Sequence, residues 1–438
     1  MAVVGGIKAP YRRKYDPIFN KINFLLDKYY SREKIIAKYS CKEYKYKGEL
    51  IPKYYSVVKY INNKRDKNSL GNGFGVFNNK EGSLLRGLVE AIERYYSGQI
   101  RIDLIEKFQI IKNKSVNPYE IFPVHPNFYD FSANSGKLEI FKENKKYQWI
   151  SGEFIYSGRK SFVLIDNVFY PLLKKEIKRS PVFKPSSSGV AAHFDEDEAI
   201  KNAVLELLER DAFCVFWYSG KKMKLFPKNI LPLNIQQNIS FYRKFERNVY
   251  FYNLSIDSVP IVLCVILGNS YPYLVTGAKA SFSFDDAVEK SFEEAEASLL
   301  AWSSDKKKKI SVDEVKSPRE HGQFYATQKN NKEIRFMLSK QKIDDDELEF
   351  IKKNNFTIFD IAKKFKILKV CIHKPQERGD IWVYRALSTE LIPMGFGFGG
   401  ECYKHKRMDR LGLKWKKKYP SMPHFFPYFF FSIKWKLL

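Results

Sequence analysis

Residues 195–218 read DEDEAIKNAVLELLERDAFCVFWY. At about 100° per residue, Ala199, Ile200, Ala203, Val204, Leu207, Leu208, Phe213, Phe216 and Trp217 cover nearly the whole circumference of a helix. The pattern predicts a buried helix with Asp195 as N-cap and an acidic first turn. Inside this apolar surround, Asn202, Glu206 and Glu209 form one polar stripe at spacing i, i+4, i+7. Buried carboxylates need a partner. The stripe must therefore meet Arg or Lys from elsewhere, or a metal ion.

Two more predicted helices repeat the frame. Residues 81–97 carry Arg86, Glu90 and Glu93, and residues 284–302 carry Lys290, Glu294 and Ala297. Taken alone, Glu90 and Glu93 read as a solvated face opposite Leu84, Leu88 and Ile92. Glu289, Glu293 and Glu296 read as the wet face of the third helix. Taken together, the three helices permit one shared cavity. Clustered carboxylates cannot all stay ionised in a dry site. A hard divalent cation such as Mg²⁺, shared with nucleotide phosphates, resolves the conflict. Salt bridges to Arg94 and Arg210 resolve it too, and the pattern leaves both open. The six histidines are scattered, which argues against zinc. The run GNGFG at 71–75 lacks both the Gly-Lys-Ser/Thr and the GxGxxG signatures and reads as a turn before the helix.

The composition suits a folded protein of one large domain or two to three smaller ones, with 44% hydrophobic and 16% aromatic residues in 438. The net charge of +27 comes from scattered rather than striped lysines. It suits a nucleotide or an acidic leader peptide better than nucleic acid. Five dispersed cysteines point to a reducing, cytoplasmic setting. Neither a signal-peptide core nor a run of roughly 18 apolar residues is present. Candidate strands at 101–104, 147–155, 161–164, 249–254, 260–267, 273–279, 356–359, 367–373 and 381–387 alternate with the helices. They give an α/β or α+β class. The expected organisation is an N-terminal segment (1–70), a main domain (71–400) with a charged, solvated insertion (303–350), and a C-terminal tail (401–438).

The segment SSSGVAAHFDEDEAIKNAVLELLERDAFCVFW resembles the hallmark of the YcaO family, SNGxAAGNTxEEAxxxALxELIERDA. GLVEAIERYY resembles that family's upstream ExxER helix, and AVEKSFEEAEAS its downstream ALxRALxEAxQ helix. The resemblance implies strand-rich layers and helices around a central ATP cavity. It implies Mg²⁺ at Glu90, Glu93, Glu206, Glu209 and Glu294, with Glu198, Arg210 and Lys290 on the nucleotide. Departures from the pattern are Ser188, His193, Phe194, Arg86, Lys290 and Ala297. Pro423-His424-Phe425-Phe426-Pro427 resembles the PHPFP-like tail of azole-forming members of streptolysin and microcin type. The resemblance thus places Pro423 and Pro427 at the reacting centre. The activity implied is ATP-dependent cyclodehydration of Cys, Ser or Thr in a ribosomal precursor peptide. A leader-binding partner of ubiquitin-activating-enzyme-like type is implied as well, and a flavin-dependent dehydrogenase and a homodimer are admitted. Thioamide or amidine formation, or a non-catalytic scaffold role, are the alternatives.

Overall fold

The computed structural model describes residues 17–416 apart from 64–65, 125–137, 171–176, 184–185, 258, 305–307, 313, 316, 328–333, 335–336, 354–355 and 397–401. Helix α1 (Pro17–Leu25) runs on into a wider helical stretch, Leu26–Arg32. Strands β1 (Ile36–Tyr46), β2 (Glu49–Asn63) and β3 (Asp66–Phe77) then form an antiparallel sheet. Strand β3 runs through position 70, so residues on both sides of that expected boundary share one sheet. The GNGFG run lies inside β3 and is not a turn. Its glycines serve close packing. A Cβ on Gly75 would stand 1.9 Å from the Ser83 carbonyl oxygen, and one on Gly73 would stand 2.3 Å from the Ala91 nitrogen. Both neighbours belong to helix α2 (Lys80–Ser97), which crosses that face of the sheet. Asn79 caps α2 by accepting from the Gly82 N–H.

Strands β4 (Ile105–Phe108), β5 (Tyr147–Phe154), β6 (Lys160–Leu164) and β7 (Val190–His193) precede the long helix α3 (Glu196–Ser219). Residues 101–104, expected as strand, form a short 3-10 turn just before β4. Helix α3 begins at Asp195, whose side chain accepts from the Glu198 N–H, and ends at Gly220, which has φ 66°. It is buried over almost its whole length, including Phe213, Trp217 and Tyr218. Each such large apolar side chain contributes roughly 1.5–3 kcal/mol by leaving water.

The chain continues through β8 (Met223–Leu225), α4 (Leu233–Arg243), β9 (Arg247–Asn253), β10 (Ile261–Gly268), β11 (Leu274–Ala280) and α5 (Phe284–Ser303). It then forms α6 (Pro318–Thr327), β12 (Leu338–Lys342), α7 (Asp345–Lys352), α8 (Ile358–Lys364), β13 (Leu368–His373) and β14 (Trp382–Leu387). Two expectations change here. Residues 358–359 open a helix capped by Thr357, not a strand. The region expected as a solvated insertion is partly built into the fold: β12 pairs with β8, and His321, Phe324 and Tyr325 of α6 are buried.

Among the described residues there are three sheets, in the orders β1-β2-β3, β11-β10-β9-β8-β12 and β4-β5-β13-β14-β7, with β6 also on β5. Helix α2 covers the first, α5 covers β10 and β11, and α3 packs on β7, β14 and β11. This is an α+β arrangement of strand-rich layers with helices around a central cavity. The segment after 401 returns to α3. Arg407 meets Asp211 at 3.0 Å, and Trp415 stacks on Tyr218 with centroids 4.0 Å apart. All five cysteines are free thiols. Among the described residues no helix is long and apolar enough to cross a membrane.

Candidate functional site

The three acid-bearing helices converge. Glu90 and Glu93 of α2, Asn202, Glu206 and Glu209 of α3, and Glu293 and Glu294 of α5 line one cavity of about 460 Å³. Arg86, Arg94, Arg210, Lys279 and Lys290 line it too. Glu90 and Glu93 therefore do not form the solvated face that α2 alone suggested.

Each of the three sheets presents a terminal strand, β3, β7 or β11, to this cavity. A terminal strand carries N–H groups with no neighbouring strand, and buried ones need an acceptor. The carboxylates supply it. Phe74 N–H on β3 donates to Glu90 Oε2 at 2.9 Å. Gly189 N–H, just before β7, donates to Glu206 Oε2 at 2.9 Å. Ala280 N–H on β11 donates to Glu209 Oε2 at 3.3 Å. The backbone of Ala192 on β7 bonds to Glu93. Such charge-assisted bonds orient each acid while leaving acceptor capacity over.

Arg94 and Arg210 pair with acids of their own helices. Arg210 reaches Glu206 Oε1 at 2.9 Å and Glu209 Oε1 at 3.8 Å, and Arg94 stands 3.7 Å from Glu90 and 3.8 Å from Glu93. Across helices, Arg86 pairs with Glu293 at 2.8 Å at the partly exposed rim. These contacts do not neutralise the cluster. Burial pushes Glu93 up to about 8 and Glu90 up to about 7, against the opposing pull of Arg94. Burial likewise pushes Glu294 up to about 8 and raises Glu209, with Lys279 opposing. The charge of Glu206 raises all four.

Lys290 sits at the rim, 47% exposed, and its Nζ is 3.3 Å from Asp286. Glu198 is not part of the lining. It lies one helical turn beyond Asn202, where α3 emerges, and pairs with Lys201. The family pattern placed it with the nucleotide; the structure places it outside the cavity. Pro423 and Pro427 lie outside the described residues. Phe194 turns away and packs under Lys21, whose Nζ is 4.6 Å from its ring. Two expectations on α5 are corrected. Glu293 lines the cavity, and Glu296 is buried against Lys53 and Tyr242 instead of facing water. Sequence reasoning passed over Lys279. Its signal was a charge inside the apolar run LVTGAKA.

The donors fit a hard cation, being oxygens alone. Among the described residues no three His, Cys, Asp or Glu side chains are grouped closely enough to hold one ion by themselves. Mg²⁺ does not require such a cage, since it commonly takes one or two carboxylates and completes its shell with phosphates and water.

Residues 72–373 match the model of a protein family described as YcaO cyclodehydratase, ATP- and Mg²⁺-binding. The chain belongs to the YcaO family. Solved structures repeat the fold. A heterocyclase in complex with substrate and cofactor superposes with TM-score 0.67 and 16% identity, over 89% of this chain and 55% of that one. The YcaO protein of Methanopyrus kandleri, bound with AMPPCP and Mg²⁺, gives 0.61 and 14%, over 86% and 91%. The E. coli microcin synthetase McbBCD complex gives 0.58 and 12%, over 86% and 95%. The chain thus spans about half of the heterocyclase and most of the other two. At these identities the likeness establishes the YcaO fold and nothing finer. No curated protein matches it in sequence.

Proposed function

We propose that this YcaO chain is the ATP-dependent cyclodehydratase subunit that converts Cys, Ser or Thr of a ribosomal precursor peptide to thiazoline or oxazoline. The observation that carries it is the convergence of Glu90, Glu93, Glu206, Glu209 and Glu294 on one cavity, incompletely neutralised by the chain's own cations. These acids are assigned to Mg²⁺, and Arg210 and Lys290 to phosphate. Bound there, Mg²⁺ and ATP supply an electrophilic γ-phosphorus with its charge neutralised. The side-chain thiol or hydroxyl of the peptide adds to the preceding amide carbonyl carbon. The amide oxygen would take the γ-phosphoryl group as the bond from the γ-phosphorus to the bridging oxygen breaks and ADP leaves, and would then depart as phosphate, while the thiol or hydroxyl proton and the amide proton are lost as the ring C=N forms. The protein's part is to hold both reactants and to fix the charges around them.

The tail suits this role. Lys416 N–H bonds to Tyr218 O at 2.9 Å, which ties the start of the tail to the end of α3. The stretch from 416 to 427 spans up to about 36–40 Å when extended. Tyr218 and Glu209 are separated by roughly 14 Å of helix. The chain is therefore long enough for Pro423 and Pro427 to reach the cavity, where they are assigned to the reacting centre. The chemistry also needs a leader-binding partner, and a flavin-dependent dehydrogenase wherever an azole is the final product. The microcin synthetase is a complex in its own structures, one of which holds pro-MccB17.

The test is turnover of ATP with a Cys-rich precursor peptide and its partner, comparing the native chain with Glu206→Gln. The native chain releases phosphate as the peptide loses one water per ring. Glu206→Gln, which lacks the acid common to all four raised carboxyls, falls by at least about 100-fold. Sulfur gain by the peptide would instead mean thioamide formation. Absence of phosphate release under all conditions overturns the enzymatic assignment.

A further inference from the structure

Strand β11 is buried at Val275, Thr276, Ala278 and Ala280, yet Lys279 stands among them. Its side chain is one-third exposed and turns into the cavity, on the face opposite to Ala278 and Ala280. Its Nζ is 3.8 Å from Glu294 Oε1 and 4.0 Å from Glu209 Oε2, both beyond hydrogen-bond length. The two acids come from different helices, α5 and α3. The ion pairs of Arg94 and Arg210 within 4 Å are to acids of their own helices, while Lys279 stands within 4 Å of acids from two. Spanning carboxylates of separate elements is what a divalent ion does in such a cavity.

Resting on the metal–nucleotide assignment made under Proposed function, we propose that Lys279 Nζ takes the place of one divalent ion between Glu209 and Glu294. The cavity then holds one ion fewer than the same acids would hold around a neutral side chain. The physical cause is repulsion. An ammonium fixed within about 4 Å of both carboxylates repels a second cation brought to the same pair. It also has three donors and no acceptor, so it cannot join a metal's ligand shell.

Counting metal ions tests this without relying on turnover. The full chain is titrated with Mn²⁺ in the presence of a non-hydrolysable ATP analogue, and free Mn²⁺ is read by electron paramagnetic resonance. Lys279→Met is expected to bind one more Mn²⁺ per chain than the native protein, and Lys279→Arg the native number. Equal numbers in native and Lys279→Met overturn the proposal. Should Lys279→Met fail to fold, Lys279→Gln decides. One more Mn²⁺ per chain than the native number is expected, and an equal number overturns the proposal. If the native chain binds no Mn²⁺ with nucleotide at all, the metal–nucleotide assignment fails and this inference with it. Binding with an equal count removes the inference alone.

Discussion

Glu294 and Glu296 stand two residues apart on α5 and meet opposite fates. Glu296 is 1% exposed; Lys53 of β2 holds one of its oxygens and Tyr242 of α4 the other, at 2.7 Å. Glu294 faces the cavity, where its closest cation is Lys279 at 3.8 Å and burial pushes its carboxyl up to about 8. Two residues along a helix turn a side chain by about 200°, so one acid points into the packing against β2 and α4 and the other towards α2 and α3. The first completes the fold. The second faces the cavity with Lys279 beyond hydrogen-bond length and is left short of full neutralisation.

The sharpest way to break this contrast is to remove each charge in turn. Glu296→Gln leaves the Lys53 ammonium buried without its counter-charge, and a loss of about 3–5 kcal/mol is expected in chemical denaturation. A loss under about 1 kcal/mol would contradict the structural role. Glu294→Gln should do the reverse. Its melting temperature holds or rises, because a like charge leaves the cluster, while phosphate release falls by about 100- to 1,000-fold. Gly277→Ala strikes both acids at once. A Cβ there would lie 2.2 Å from the Ser291 carbonyl oxygen, so α5 must lift from β11. About 1–3 kcal/mol of stability is expected to go, and activity with it. Native stability in this variant would mean that α5 is not seated as described.

The pH dependence sharpens the comparison further. Burial raises Glu90 to about 7 and Glu93 to about 8, both above their unfolded values. The stability of such a group is fully present below the unfolded pKa and is lost as pH rises through the folded one. Without metal and nucleotide, the protein should lose stability as pH rises from about 4.5 to about 8, at up to about 1.4 kcal/mol per pH unit for each acid. Mg²⁺ with a non-hydrolysable ATP analogue should flatten that slope. Asp380 behaves in the opposite sense. Lys28, Tyr29 and His373 bond to it and hold its carboxyl below the usual range in spite of burial. Its share of stability is present above the unfolded pKa and disappears as pH falls through the folded one. Asp380→Asn should therefore weaken acid unfolding and leave the alkaline slope intact, read from melts across pH. The smallest effect belongs to the rim. Arg86→Ala removes a partly exposed ion pair with Glu293 and should cost under about 1 kcal/mol.

How far the sequence spoke can be judged from particular residues. The i, i+4, i+7 frame is a property of a single helix, so Glu206 and Glu209 inside an apolar helix were legible, and so was their echo at Glu90 and Glu294. Whether the frames shared one space was not legible, because that depends on residues more than a hundred positions apart. GNGFG misled because glycine serves turns and close helix–strand contact equally well, and only the seating of α2 on β3 distinguishes them. Glu296 misled because helical spacing says which residues share a face and not what packs on it.

The sequence by itself determined the three helices, their acids and the family they belong to, since periodicity, capping and motif spacing are carried by neighbouring residues. The tertiary structure alone decided that β3, β7 and β11 each end a sheet at one cavity, with backbone N–H groups turned towards the acids. It also set Lys279 between Glu209 and Glu294. Sheet order and the meeting of separate helices follow from burial of apolar surface over the whole chain, and no local window contains them.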